Sequence, residues 1–343
     1  MPLSPLFKLR NEVTPGIIEL LSQTTIGSNG ARYSHLDTPE RIHEADNPLF
    51  LSMERNEKVI GNITFCRREQ DWYIRYFAFH GMHQGSEKKK KVDKGNSFLK
   101  KELGQFFDDA FTGLIDGKPV RSMYAYIDPK NGRSKWMSET FGFHVIRQLA
   151  TQSYSRISPK KSDRLEVLHN WDEIQSKVEQ NFSHHAYFFT IHAEKPPFYV
   201  LRNEFDEIIA FTRVTKANWK IDRLPGRFGK LLTKLLPYIP YLKQLLRPEN
   251  HTFLVPEIVW AKDANPALID ELFSAILEKE KLNLILWWID AKDPLYLAVK
   301  SNINWGLLHK AIGTTAVDVV ERTADRIPLV ENRPVFVTAW DMV

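Results

Sequence analysis

The run Trp72-Tyr73-Ile74-Arg75-Tyr76-Phe77-Ala78-Phe79 opens the stretch that decides the fold, Asp71 to Phe143. Its aromatic and β-branched residues suit a half-buried strand. A lysine-loaded loop follows, Glu87-Lys88-Lys89-Lys90-Lys91-Val92-Asp93-Lys94, and ends in Gly95-Asn96-Ser97. Leu99, Leu103, Phe106 and Ala110 then recur at helical spacing, with Phe107 and Phe111 widening the apolar face. A second strand, Met123 to Ile127, leads into Asn131-Gly132-Arg133-Ser134 and on to Phe141-Gly142-Phe143. Strand, small-residue loop and helix N-terminus together suit a phosphate, because a glycine lets backbone N–H groups come close and the helix dipole favours negative charge. Asn or Ser at an N-cap behind a glycine is common in any helix, so Gly95-Asn96-Ser97 alone decides little.

At 343 residues the chain is long enough for two domains, since single cores rarely grow past about 250 to 300 residues. Hydrophobic residues at 43% and charged residues at 26% mark a globular protein. The single cysteine, Cys66, excludes an internal disulfide and a cysteine-rich metal site, and in a hydrophobic strand it reads as a buried structural thiol. Met1 to Lys8 lacks the apolar core of a signal peptide, so a cytoplasmic chain is expected. Leu284 to Ile289, the longest apolar run, falls far short of the ~20 residues that span a bilayer. Net charge is +5, but seven lysines against Glu87, Asp93 and Glu102 give Glu87–Glu102 a local +4. Eight basic residues against Asp222 give Lys216–Arg247 +7, so the remainder is acidic. Two such patches suggest localised anion contacts rather than a nucleic-acid coat.

The chain repeats itself. Pro48-Leu49-Phe50-Leu51-Ser52-Met53-Glu54, a turn at Arg55-Asn56-Glu57 and Lys58-Val59-Ile60-Gly61 match Pro197 to Ala210 without a gap. Tyr126-Ile127-Asp128-Pro129-Lys130-Asn131 is echoed in the same order by Trp288-Ile289-Asp290-Ala291-Lys292-Asp293. Two echoes in register imply an internal duplication. Ser158 to Asp163 reads as the joint, giving domains over 1–157 and 164–343. The second carries a proline-broken basic insertion at about 219–250 and replaces Lys94-Gly95-Asn96-Ser97 by Asp263-Ala264-Asn265-Pro266.

In Val92-Asp93-Lys94-Gly95-Asn96-Ser97, and in Asn131 followed eleven residues later by Gly142-Phe143, the sequence resembles the GNAT superfamily of acyl-coenzyme A-dependent N-acyltransferases. The first motif is a partial match to the family's Q/R-x-x-G-x-G/A loop, with Val92 and Ser97 departing from it; the spacing of the second fits well. The motifs cover about Phe7 to Arg156, and the duplication extends the resemblance to the rest. It implies an α+β (α/β) fold of two GNAT-like domains, each a mixed, mostly antiparallel twisted sheet flanked by helices, the second degenerate.

The implied activity is direct transfer of an acetyl or other acyl group from acyl-CoA to an amine acceptor, a small molecule or a peptide. On that resemblance Lys94, Gly95, Asn96 and Ser97 contact the pyrophosphate, Asn131 holds the pantetheine arm, and a backbone N–H on the strand carrying Phe77 and Phe79 steadies the oxyanion. Many family members place a proton-donating tyrosine seven residues after the Asn; here that residue is Ser138. His80 and His83, in the loop after the strand, are the candidate general bases, with Glu54 a weaker one, and Tyr124 and Tyr126 read as packing. His184, His185 and His192 lack zinc-ligand spacing, and no metal is expected. Trp219 and Trp305 are candidates to line a cleft. The alternative is a non-catalytic GNAT-derived module that binds CoA or a partner. A further role is peripheral membrane contact through 216–247, set against the plainer expectation that its leucines close over the second domain.

Overall fold

Each half contains one of the two matching hairpins, and the two are closed by different turns. Asn56 and Glu57 both have positive φ (49° and 61°), the backbone twist that lets a two-residue turn join right-twisted strands. At the second turn the Asn203 side chain accepts from Phe205 N and Glu207 N, with Asp206 at φ 65°. The computed structural model describes residues 4–27, 31–79, 98–226, 228–240, 242–330 and 332–343.

The strands are β1 (Phe7–Arg10), β2 (Arg32–His35), β3 (Pro48–Arg55), β4 (Lys58–Arg68), β5 (Asp71–Phe79), β6 (Ser122–Ile127), β7 (His144–Ser155), β8 (Leu165–Leu168), β9 (Phe198–Arg202), β10 (Ile208–Arg223), β11 (His251–Ala261), β12 (Leu284–Asp290) and β13 (Thr315–Thr323). The α-helices are α1 (Pro15–Ser22), α2 (Thr38–Arg41), α3 (Phe98–Phe111), α4 (Gly132–Thr140), α5 (Gln175–Phe182), α6 (Thr190–Ala193), α7 (Gly229–Leu235), α8 (Pro266–Glu280), α9 (Pro294–Val299), α10 (Leu307–Ile312) and α11 (Ala339–Met342).

All the strands join one 13-stranded sheet, in the order β1-β3-β4-β5-β6-β13-β7-β12-β11-β10-β9-β8, with β2 added on β10. Two pairs are parallel, β5 with β6 and β11 with β12; the others are antiparallel. They are equivalent: Trp72 opposite Met123 in the first half corresponds to Leu254 opposite Ile285 in the second. The sheet is therefore mixed and mostly antiparallel, built twice over. At its centre the halves exchange strands. β7, which ends the first half, pairs with β12, and β13, which ends the second, pairs with β6.

The helices seal the sheet by their apolar faces. Leu103, Phe106, Phe107, Ala110 and Phe111 of α3 pack with Phe65, Trp72, Met123, Phe141 and Phe143. In the second half Ile269, Leu272, Phe273, Ile276 and Leu277 of α8 pack with Leu254, Ile285 and Trp287. Each such aromatic or aliphatic side chain contributes about 1.5–3 kcal/mol by leaving water. Between the halves Tyr124 stacks on Tyr187 with centroids 3.8 Å apart.

Trp219 to Arg223, where the insertion is expected to begin, forms the end of β10 and pairs with β2, Trp219 also with β11. Its Lys220 and Asp222 alternate with apolar Trp219 and Ile221, a strand's period inside a charged stretch. Leu231 and Leu235, expected to close over the second half, are exposed.

Candidate active site

β5 and β6 pair over three positions, Asp71 with Ser122, Trp72 with Met123 and Tyr73 with Tyr124, and then part. β5 runs on to Phe79 and β6 to Ile127, leaving a notch between them. A bulge helps to open it: against β4 the register slips between Asn62 and Thr64, and on β5 Tyr76 takes φ 54°. A bulge bends its strand and raises the local twist, which swings Phe77, Ala78 and Phe79 away from β6. Phe79 holds its place over Gly61, where any Cβ would come within 2.5 Å of the phenyl ring. On the edge facing the notch the backbone of β5 beyond Tyr73 is not paired with β6, so an extended ligand there can be held as an added strand.

The far wall is α4. Asn131 caps it, its Oδ1 accepting from Ser134 N at 3.2 Å, and Gly142 ends it with φ 80°, a conformation suited to glycine. Phe141 and Phe143 on either side sink against Phe107. The interval from Asn131 to Phe143 is thus set by a cap, a nine-residue helix and a stop.

A buried cation stands at the bulge. Arg75 is 4% exposed, and its Cζ lies 4.3 Å from the Tyr76 ring centroid and 3.9 Å from that of Trp340. Neither Nη atom has a hydrogen-bond partner among the described residues. Aromatic faces offset only part of the cost of desolvating a guanidinium. Beside it both ring nitrogens of His35 are buried and unpaired among the described residues. Burial, and next the Arg75 charge, push the His35 pKa down to about 3.

The second half has the same notch in different chemistry. β11 slips register against β10 between Phe211 and Arg213, with Ile258 at φ 46°, and parts from β12 beyond Leu254–Ile285. A cavity of about 380 Å³ occupies the gap, lined by Trp260, Trp287, Trp288 and Phe336, with His185, Asp263 and Asp293 as polar groups. Asp293, the counterpart of Asn131, caps α9 by accepting from Leu295 N at 2.8 Å, while its Oδ2 accepts from His185 Nε2 at 3.0 Å. Glu257 takes the place of Arg75 and is bound by Arg213 and by Ala339 N at 2.9 Å. One C-terminal turn therefore touches both bulges: Ala339 meets Glu257 and Trp340 covers Arg75.

No family model and no curated protein matches the chain by sequence. Solved structures match over nearly all of it. Saccharomyces cerevisiae N-myristoyltransferase with bound myristoyl-CoA superposes with a TM-score of 0.58 at 9% identity, covering 98% of this chain and 86% of that one. A tandem GNAT protein from the clavulanic acid biosynthesis pathway gives 0.53 at 9% identity, over 93% of this chain and 98% of that one.

The fold is a tandem GNAT fold.

A GCN5-related N-acetyltransferase from Sphaerobacter thermophilus shares it at 11% identity and a TM-score of 0.50, covering 94% of this chain and 97% of that one. Within this tandem GNAT fold Phe77 and Phe79 lie on β5 after the bulge, with rings 5.4 Å apart, and Asn131 lies across the notch at the head of α4. His80, His83, Lys94, Gly95, Asn96 and Ser97 lie outside the described residues. Ser138, on α4, donates its hydroxyl proton to Lys135 O at 2.8 Å.

Glu54 is tied to Lys8 and Arg10, both at 2.7 Å, and these cations hold its pKa below the usual value against its burial; it has no proton-accepting role to spare. Cys66 is buried, its thiol pushed up to about 12 by burial. Tyr124 is core, accepting from Arg68 at 2.7 Å. Trp305 is core as well, its indole N–H bound to Lys300 O at 2.8 Å, whereas Trp219 stacks on Tyr33 at 3.9 Å, close to His35. No cluster able to hold a metal occurs among the described residues.

Sequence reasoning missed Arg75, His35, Trp340 and the His185–Asp293 pair. Arg75 sits in an alternating run, where an outward-facing charge is the ordinary expectation, and only the bulge turns the neighbouring backbone. For Asp293 a signal existed, because it stands where the repeat has Asn131.

Proposed function

We propose that the protein transfers an acyl group from acyl-CoA to an amine, with the donor in the first notch and the acceptor approaching from the second half. The observation that carries this is the bulged β5 parting from β6 opposite a capped helix, which leaves a strip of β5 backbone not paired with β6. In this reading Lys94, Gly95, Asn96 and Ser97 face the pyrophosphate, Asn131 bounds the pantetheine arm, and a backbone N–H between Phe77 and Phe79 donates to the thioester oxygen. The amine, once its ammonium proton is lost to a base, for which His80 and His83 are the candidates, attacks the carbonyl carbon. The N–C bond forms, the C–S bond breaks, and the proton that the nitrogen sheds in becoming an amide passes to the thiolate as CoA leaves. Acetyl-CoA or another acyl-CoA serves as donor.

The second cavity suits an amine better than a second CoA. Its lining has Glu257, Asp263 and Asp293 and, among the described residues, no lysine or arginine, so a pyrophosphate is repelled while an ammonium is attracted by the carboxylates and by the faces of Trp260, Trp287 and Trp288.

Thermal unfolding with and without acetyl-CoA tests the donor site. A ligand at ~100 times its dissociation constant adds about 2.7 kcal/mol, which for a chain of 343 residues is a rise of about 4 °C. Gly95→Glu, which sets a carboxylate where the phosphates would lie, is expected to abolish the rise. No rise in the parent protein sinks the reading. Binding without consumption of any thioester across an amine panel supports the non-catalytic module instead.

A further inference from the structure

We propose that the segment from Phe228 to Arg247 is a docking surface for an anionic lipid bilayer. The inference is independent of acyl transfer and rests on which side chains this segment leaves in water. Phe228 is 62% exposed, Leu231 53%, Leu235 48%, Tyr238 85% and Ile239 43%. Among the described residues sixteen large apolar side chains are exposed, and five of them fall within these twelve positions, a concentration unlike the scattered single exposures normal on a protein surface. Phe228, Leu231, Leu235 and Tyr238 follow a three-and-four spacing, one stripe along α7 and the turn after it.

The stripe is presented by a fixed scaffold. Gly229 and Thr233 form the buried side of α7; Thr233 Oγ1 accepts from Leu224 N at 3.0 Å and donates to Gly229 O at 2.8 Å. A Cβ at Gly229 would fall 1.7 Å from Leu224 O, so the helix lies directly on the end of β10. Leu224, Leu245 and Leu246 are buried and close the base of the segment. Leu224, Leu245 and Leu246 thus hold the segment down while Phe228, Leu231, Leu235, Tyr238 and Ile239 face out.

Charge selects the partner. From Arg223 to Arg247 there are six basic residues and no acidic one. Lys216 and Lys220, just before the segment, are paired with Glu280 and Glu249, whereas Lys230, Lys234 and Lys243 form no ion pair among the described residues. Exposed apolar side chains flanked by unpaired lysines match a bilayer interface, where the rings and leucines enter the acyl boundary and the ammonium groups stay among the phosphates. A nucleic acid would answer the lysines but offers no apolar layer for Leu231 and Ile239.

Co-sedimentation of the full chain with vesicles of phosphatidylcholine alone and of equimolar phosphatidylcholine and phosphatidylserine tests this. The parent protein is expected to bind the anionic vesicles only, and less at high salt. Lys230→Glu with Lys234→Glu should weaken partitioning at least twentyfold, since each lysine near such a surface contributes roughly a fivefold gain. Leu231→Ser with Tyr238→Ser should also release the protein, although the lysines remain. All four positions are exposed, so both variants should melt with the parent. Equal binding to both vesicle types, binding untouched by either double substitution, or no binding overturns the proposal. So does concentration-dependent self-association that the Leu231→Ser, Tyr238→Ser variant abolishes while vesicle binding stays absent, because the patch then joins two copies of the chain.

Discussion

Replacing Asp341 by asparagine removes one charge from a pair sealed inside the protein. Arg68 reaches Asp341 through two bonds, Nη1 to Oδ2 at 2.9 Å and Nη2 to Oδ1 at 2.5 Å, and the side chains are 2% and 0% exposed. The pair joins β4 of the first half to the C-terminal turn, whose Asp341 carbonyl also accepts from Tyr73 OH at 2.9 Å. Removing one partner of a buried ion pair costs about 3–5 kcal/mol, because the remaining charge keeps its desolvation penalty and loses its counter-ion. Here Tyr124 OH, at 2.7 Å, and Asp46, 3.6 Å from Nη2 and 23% exposed, remain as partial partners, which places the loss near the lower end, about 3 kcal/mol. With ~2.1 cal/mol/K of unfolding entropy per residue over 343 residues, that is a fall in melting temperature of about 4 °C. Differential scanning calorimetry and urea unfolding of Asp341→Asn beside the parent measure it. A shift below about 1 °C would falsify the reasoning, since a sealed guanidinium cannot lose its carboxylate without a cost of that order.

Two further outcomes follow from particular side chains. His35 and His251 have their pKa values pushed down to about 3 and about 4, in each case first by burial and then by a nearby arginine. The unfolded chain takes up both protons near the ordinary histidine value of 6.5 while the folded chain does not, so their stability contribution is full above that pH and declines as pH falls toward 4. About 2.5 kcal/mol should be lost between pH 7 and 5.5, read as a falling urea midpoint; a flat midpoint over that window contradicts the neutral, buried state of the two rings. Ser138→Ala should leave turnover in a thioester-consumption assay within about twofold, since the hydroxyl proton is already given to Lys135 O; a loss of a hundredfold, in the range of general acid catalysis, would make that hydroxyl part of the chemistry.

What could be read from the sequence was what short-range patterns encode. The hairpins showed in their alternation and turn residues, α3 in its apolar spacing, and the Asn131–Phe143 unit in a cap and a stop that local backbone chemistry requires. The repeat was visible because Pro48–Gly61 and Pro197–Ala210 keep the same order of proline, aromatic, turn and apolar residues without a gap. Strand partners were not visible. Nothing in the periodicity of β7 says that it lies beside β12, because an alternating strand serves equally well next to any neighbour of the right length. β2 and the last residues of β10 were hidden for the same reason, their charges reading as loop. At the site, the notch was not legible, because it depends on a bulge and on where β5 and β6 part, and the burial of Arg75 depends besides on a tryptophan 265 positions later in the chain. The leucines of α7 show the other limit: spacing places Leu231 and Leu235 on one face without saying whether protein or water lies against it.

The strand exchange also sets the order in which a growing chain can be completed. When residue 157 has left the ribosome, β6 still has an open edge, because its partner β13 is more than 150 residues from being made. β7 waits likewise for β12. Two neighbouring strands that would otherwise close the first half thus reach their final places only when the second half arrives. Such distant pairings make for slow folding and leave strand edges uncovered meanwhile. A fragment ending near the joint is expected to associate through those edges rather than stand alone, and the two halves, supplied as separate chains, to solubilise each other.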